Sequence, residues 1–373
     1  MISALLVFAW TAARIHYAFN GNWTALFCTG AIFRVPPDLA AGTYSFSGGG
    51  YDGQFYRYLA HDPFLRKGYA RYVDAPQLRF RRVLVPLAAY LLAFGQPARV
   101  DGAYVAVEML FVALGVYWCA RLLVRRGRSP LWGLLSLAVP ATLASFDRML
   151  VDGPLVALFA GFLLYCEERR WTRVWVLAML AALTRETGLL LGAALMADRL
   201  WHRDWRRAAW FGSSAVPAGV WYAYVAMRLP HEWPVLRFAV PGWGILRRLF
   251  WLRPYPDPHL QPWLRVVDFL AVLGLLLCLV ITVRWLLDLG VSTATFSAAF
   301  FAALALVLGS LPGYMEEPFG FSRPVSPLLL WIMIEAVTRR KWAAMVPPLL
   351  LSLGVSVVFL SPFRAVVRGL LGR

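Results

Sequence analysis

The chain has 373 residues, 60% of them hydrophobic and only 15% charged, where an average soluble domain carries about a quarter charged. Apolar runs of about 20 residues, each long enough to cross a bilayer, recur along the whole length, so a string of soluble domains is excluded and one all-α polytopic membrane domain over residues 1–373 is expected. The 37 Lys and Arg outnumber 20 Asp and Glu, for a net charge of +17. These basic residues sit in short loops between apolar runs, which argues against nucleic acid and for lipid headgroups and phosphate-bearing substrates as counterparts.

In chain order the predicted spans are residues 1–18, 103–123, 129–146, 151–167, 174–185, 187–199, 208–227, 265–285, 291–310, 325–338 and 342–361, about eleven in a range of 9–12. The first 18 residues lack a basic leader and a small-residue cleavage pattern, so they read as a retained span. A long external loop, 19–102, follows, and a second external loop covers 228–264. The apolar stretch 83–96 is too short to span and is expected as a juxtamembrane or re-entrant helix. Basic clusters at Arg121 to Arg128, Arg169 to Arg173, Arg199 to Arg207 and Arg339 to Lys341 mark the cytoplasmic side. For all of them to share that side, residues 174–198 must leave it and return within about 25 residues, which two full spans cannot do at about 1.5 Å per residue. That stretch is therefore predicted as two short helices broken at Thr184-Arg185-Glu186-Thr187. Polar chemistry is expected to gather on the opposite, external side, and no inverted repeat of the transporter kind is present.

The first loop carries the most informative run, Ser47-Gly48-Gly49-Gly50-Tyr51-Asp52-Gly53-Gln54-Phe55-Tyr56. A carboxylate framed by aromatic residues at a membrane edge is expected to be desolvated and made more basic, which suits a general base acting on a sugar hydroxyl. A turn cap is the alternative for Asp52, and Asp62, before Pro63, reads first as a helix-ending turn. A short amphipathic helix is expected over 54–60, setting Tyr51, Gln54 and Tyr56 beside the carboxylate. Arg185 and Glu186, at the break between the short helices, either form a local pair or line a polar cavity in which Arg185 grips a phosphate. Arg323 either binds a lipid phosphate or snorkels to the interface. Arg79, Arg81 and Arg82 place positive charge on the external side, and Asp147, Arg148 and Asp152 form either a polar brace or part of the site. The second loop, with Trp233, Trp243, Trp251, Trp263, Arg247, Arg248 and Arg253, suits headgroup anchoring or sugar stacking. The four cysteines have neither CxxC spacing nor a nearby His, so no metal site is predicted from them; one or two carboxylates near a phosphate would suffice for Mg²⁺ or Mn²⁺.

With these pieces in order, the chain resembles the GT-C superfamily of integral-membrane glycosyltransferases, which includes the protein O-mannosyltransferases and the aminoarabinose transferases of lipid A. The likeness rests on Tyr51-Asp52-Gly53-Gln54-Phe55-Tyr56 as the acidic loop motif, on Val83 to Gly95 followed by Ala103 to Arg126, and on Leu183 to Leu189 as the break between short helices. It covers about the first 200 residues by motif and the rest by hydropathy alone. The resemblance implies a polyprenyl-phosphate-linked sugar donor, a glycan, lipid or protein acceptor, Asp52 as the base, and Arg185 or Arg323 on the leaving phosphate, with Asp62 a candidate second acid. It also implies a bacterial cytoplasmic membrane with the site facing outward. Two other classes stay open: a carrier or flippase of a lipid-linked sugar, which needs polar groups distributed across the bilayer, and a scaffold subunit of envelope glycan synthesis.

Overall fold

The computed structural model describes residues 2–230, 240–251, 261–311, 314–315, 320–356 and 359–371. Helices dominate: α1 (Ile2–Phe19), α2 (Pro37–Ala40), α3 (Gly53–His61), α4 (Pro76–Arg81), α5 (Leu84–Leu92), α6 (Pro97–Arg125), α7 (Pro140–Arg148), α8 (Asp152–Glu167) and α9 (Trp171–Thr184). They continue as α10 (Leu189–Trp201), α11 (Trp205–Gly212), α12 (Val216–Arg228), α13 (Trp243–Phe250), α14 (Gln261–Leu289), α15 (Thr293–Leu308), α16 (Ser326–Arg339), α17 (Val346–Ser356) and α18 (Leu360–Leu370). A two-residue parallel ladder, Thr29–Gly30 with Ser45–Phe46, supplies the strands.

The all-α expectation holds, but among the described residues only α1, α6 and α14 are individually long and apolar enough to cross a membrane, fewer than the eleven spans expected. Backbone chemistry explains part of the difference. Pro140 cannot extend the 3₁₀ segment Pro130–Leu137, so the run expected at 129–146 becomes that segment plus α7. The stretch 208–227 is likewise divided into α11, the turn Ser213–Ala215 and α12.

The short-helix pair falls where the charge argument put it. Helix α9 ends at Thr184, Arg185 is extended at φ −160 and ψ 148, and α10 starts at Leu189. Gly188 permits the close return, because a Cβ there would lie 2.0 Å from the Ala181 carbonyl oxygen. The apolar stretch 83–96 forms α5.

Two apolar clusters hold the chain together. One packs α8 and α16 at the centre, and the other lies under the first loop, around Phe27, Tyr56, Phe80 and Tyr104. Residues 152–164 of α8 and 326–337 of α16 are all buried, so these two helices face protein and not solvent or lipid along most of their length. The helices run between two ends of the bundle. Asp52, the start of α8, the α9–α10 break and the start of α16 meet at one end, called here the Asp52 pole. At the other end Arg126 bonds Glu167 and Glu335, and Arg121 pairs with Glu168 at 2.5 Å. All four basic clusters read from the sequence flank the helix ends at this second, basic pole.

Candidate functional site

Asp52 sits just before α3, at the helix N-cap position, yet its side chain makes no capping bond. It turns instead to Arg79, which binds it through both terminal nitrogens at 2.9 Å and holds Asp74 at 3.0 Å. Gly53 sets this approach: a Cβ there would lie 2.0 Å from the Arg148 carbonyl oxygen, so only glycine lets α3 start against the end of α7. Arg323, just before α16, reaches Asp52 at 3.5 Å and Asp152 at 3.3 Å. Arg185 forms the other ion pair of Asp152. Arg82 holds Glu186 with bonds of 2.8–3.1 Å and donates to the Tyr56 hydroxyl at 2.8 Å.

The result is a lattice in which ion pairs run from Asp74 through Arg79, Asp52, Arg323 and Asp152 to Arg185, with the Arg82–Glu186 pair beside them, drawn from the first loop, α4, α8, the α9–α10 break and the entrance to α16. Arg79, Arg82, Arg185 and Arg323 each keep 10% or less side-chain exposure, whereas Asp52 and Glu186 keep 22% and 25%. The carboxylates at the edge are therefore the ones a ligand meets first. The Tyr51 ring lies between the Arg148 and Arg323 guanidinium groups, at 4.6 and 5.0 Å from its centroid, a stacking that holds both cations in place. Arg185 Nε and the Thr187 hydroxyl are buried and make no hydrogen bond among the described residues. A buried donor left without a partner is costly, so these two groups point to something outside the chain.

One expectation reverses. Burial alone pushes the Asp52 carboxyl upward, but Arg79 first and Arg323 next overcome it and hold the group well below the ordinary carboxylate range. The aromatic frame was expected to make Asp52 more basic; the arginines beside it make the resting group less so.

Other readings are also refined. Arg185 does not close a local pair with Glu186; each pairs across the fold, with Asp152 and Arg82. Arg323 does not snorkel, because it is 7% exposed and tied to two aspartates. Gln54 is removed from the ligand-binding set: it is fully buried, and its amide spans the Gly30 N–H and the Gly49 carbonyl, bracing the glycine-rich loop. The helix it belongs to, the short amphipathic one expected there, is buried along all nine residues. Asp62 is no second acid either, since it accepts from the backbone N–H groups of Arg66, Lys67 and Tyr69 and closes the loop after α3. Asp147 pairs with Arg14 of α1 and with Arg148, serving as the brace, while Asp152 joins the site. Arg81 lies over the Tyr222 ring, 5.6 Å from its centroid. Of the second-loop residues, Trp233 and Arg253 lie outside the described residues. Trp243 and Trp251 are exposed on and beside α13, and Arg248 is buried against Asp268 at 2.7 Å.

Arg79, the main partner of Asp52, was seen only as part of a basic group. The signal was present: Arg79 and Arg82 are three residues apart, on one helical face, while Arg81 falls on another. Asp52 and Asp152 are each paired with arginine, and among the described residues no group of three His, Cys, Asp or Glu side chains stands together.

Polarity is not confined to this pole. At the basic pole a cavity of about 620 Å³ is lined by Arg126, Glu167, Asp198, Arg199, Glu335 and Arg339, among others. The expected one-sided distribution of polar groups is thus corrected. Comparison of the chain with protein-family models, with curated proteins and with solved structures finds no match.

Proposed function

We propose that the chain is a multi-pass membrane glycosyltransferase that moves a sugar from a polyprenyl-phosphate donor to an acceptor at the Asp52 pole, which faces the exterior. The observation that carries this reading is the arginine lattice around a partly exposed carboxylate, with Arg185 Nε and Thr187 left as unused donors. Such a centre suits an anionic phosphate beside a hydroxyl that must lose a proton. The short helices α7 to α12 and α15 to α17 then complete a polytopic bundle around the three long ones, their ends meeting headgroup and loop rather than hydrocarbon.

In this reaction the donor phosphate binds Arg185 and Arg323, with Arg82 and Glu186 holding the Arg185 segment in place. Asp52 takes the proton from the acceptor hydroxyl; the acceptor oxygen forms its bond to the anomeric carbon as the bond from that carbon to the phosphate oxygen breaks. Inversion at the anomeric carbon follows, because no covalent sugar–enzyme intermediate is formed. The polyprenyl phosphate leaves with the added negative charge, which the two arginines stabilise. Asp52 is a poor base while Arg79 and Arg323 hold it. A bound phosphate shares Arg323 and weakens its pull on Asp52, so the carboxylate gains basicity when the donor is in place, while Arg79 still holds it.

The test is mass spectrometry of polyprenyl-phosphate sugars from cells lacking the protein, complemented with the native chain or with Asp52→Asn. One lipid-linked sugar should accumulate in the null and with Asp52→Asn and clear with the native chain; equal complementation by Asp52→Asn would sink the assignment. A carrier of the same lipid is the second reading, favoured by the polar cavity at the basic pole. Translocation of the lipid across liposomes by purified protein, without acceptor, would select it.

A further inference from the structure

The cavity at the basic pole is built by the ends of α6, α8, α10 and α16 and by the starts of α9 and α15. Its carboxylates are occupied. Asp198 accepts from the Thr293 hydroxyl at 2.5 Å and pairs with Arg199 at 2.7 Å, and the His202 ring nitrogen lies 3.3 Å away. Glu335 and Glu167 are both taken by Arg126, at 2.7 and 2.6 Å. The capacity left over is of the other kind. Arg199 Nε is buried and makes no hydrogen bond among the described residues. Arg339 lines the cavity and reaches Glu335 only at 3.5 Å, through Nε. The two guanidinium groups lie over the Trp171 and Trp285 rings, at 5.2 and 5.6 Å from the ring centroids. Apolar wall comes from Leu163, Leu289, Val291 and Trp331.

A cavity whose carboxylates are all paired and whose arginines keep donors to spare takes an anion, and guanidinium forks match phosphate oxygens. An inorganic anion would not use the apolar wall, and the volume is that of a drug-sized ligand. We infer that this cavity binds the phosphate headgroup of an anionic membrane lipid, with Arg199 and Arg339 on the phosphate and the first carbons of the lipid against Trp331 and Leu163. The site is separate from the Asp52 lattice, from which it lies at the opposite ends of α8, α10 and α16. The inference requires only that the chain lies in a membrane, and it holds whichever reading of the Asp52 pole survives.

The experiment is native mass spectrometry of the delipidated full chain in detergent, titrated with dioleoyl phosphatidylglycerol, with dioleoyl phosphatidylcholine as the zwitterionic control and inorganic phosphate as competitor. Phosphatidylglycerol should bind at one saturable site and resist millimolar phosphate. Arg199→Gln combined with Arg339→Gln should weaken it by at least about tenfold, the loss of one to two charge-assisted contacts. Because those changes disturb ion pairs, Ala294→Trp, which fills the cavity and leaves the pairs in place, should weaken binding as well. Arg185→Gln, at the other pole, should leave it unchanged. Equal binding of phosphatidylcholine, full displacement by inorganic phosphate, native affinity in both cavity variants, or loss of binding in Arg185→Gln would each overturn the inference.

Discussion

At the Asp52 pole arginines from three chain segments, the α4 end, the α9–α10 break and the entrance to α16, meet carboxylates of the first loop, α8 and the same α9–α10 break, and the carboxylates nearest the surface, Asp52 and Glu186, stay partly exposed. At the basic pole the arrangement is inverted: Asp198 and Glu335 are buried at 3% and 6%, while Arg339 and Arg199 keep 23% and 19% side-chain exposure. Both poles bury charge, and in each the ion pairs repay part of the desolvation cost. What differs is the sign of the group offered to a visitor. The Asp52 pole offers carboxylates at its edge over buried arginines; the basic pole offers partly exposed Arg199 and Arg339 beside Glu167, which Arg126 already holds.

That contrast can be broken most directly at Asp52. Asp52→Asn should lower turnover of a polyprenyl-phosphate sugar by about 100- to 10,000-fold, the range for loss of a general base, while lipid binding at the basic pole persists. Arg185→Gln should cost about 100- to 1,000-fold in turnover, measured with saturating acceptor, because the leaving phosphate loses a fixed donor. A change at the other end should act on stability and not on chemistry: Arg126→Met strands Glu335 and Glu167 and should cost about 3 kcal/mol, the lower end for a broken buried pair, since Glu167 keeps 31% exposure. Thermal unfolding of the detergent-solubilised chain measures it, and a turnover loss at permissive temperature would erase the distinction between poles.

The smallest effect concerns pH. Asp52 is held below its ordinary value of 3.8 in the folded chain, so the folded state favours its ionised form. Its contribution to stability is therefore fully present above the unfolded value and is lost as pH falls from there toward the folded one. Unfolding measured against pH should show no Asp52 contribution to the slope between about pH 5 and 8. Arg79→Gln removes the strongest of the lowering charges, so it should narrow that acid-side dependence and move the acid limb of turnover upward. An unmoved limb would mean that Arg79 does not set the carboxyl.

Much of the candidate site was legible because rare residues mark it. A charged pair inside an apolar stretch, Arg185-Glu186, announces itself against its background, and the distance between basic clusters required a break there. Asp52 stood out in the same way, by three glycines and an aromatic frame. The partners did not. That Arg79 and not Arg81 faces Asp52, that Glu186 answers Arg82, and that Asp152 rather than Asp147 joins the lattice depend on which helical faces meet. Gln54 and Asp62 look as functional in the sequence as Asp52 does, yet both bind backbone. A side chain's type limits what it is able to bind, and its neighbours decide what it does bind.

From the amino-acid sequence alone followed the all-α class, the short helices meeting at Arg185, and the grouping of four basic clusters, because hydropathy and charge act along the chain and are read along it. The tertiary structure alone decided which arginine meets which carboxylate, that Asp52 rests as a weakened base, and that a second polar cavity stands at the far ends of the same helices. Those outcomes depend on distances of a few ångströms between residues more than a hundred positions apart, Arg82 with Glu186 and Arg323 with Asp52 among them, and electrostatic energy in a low-dielectric interior changes steeply over such distances.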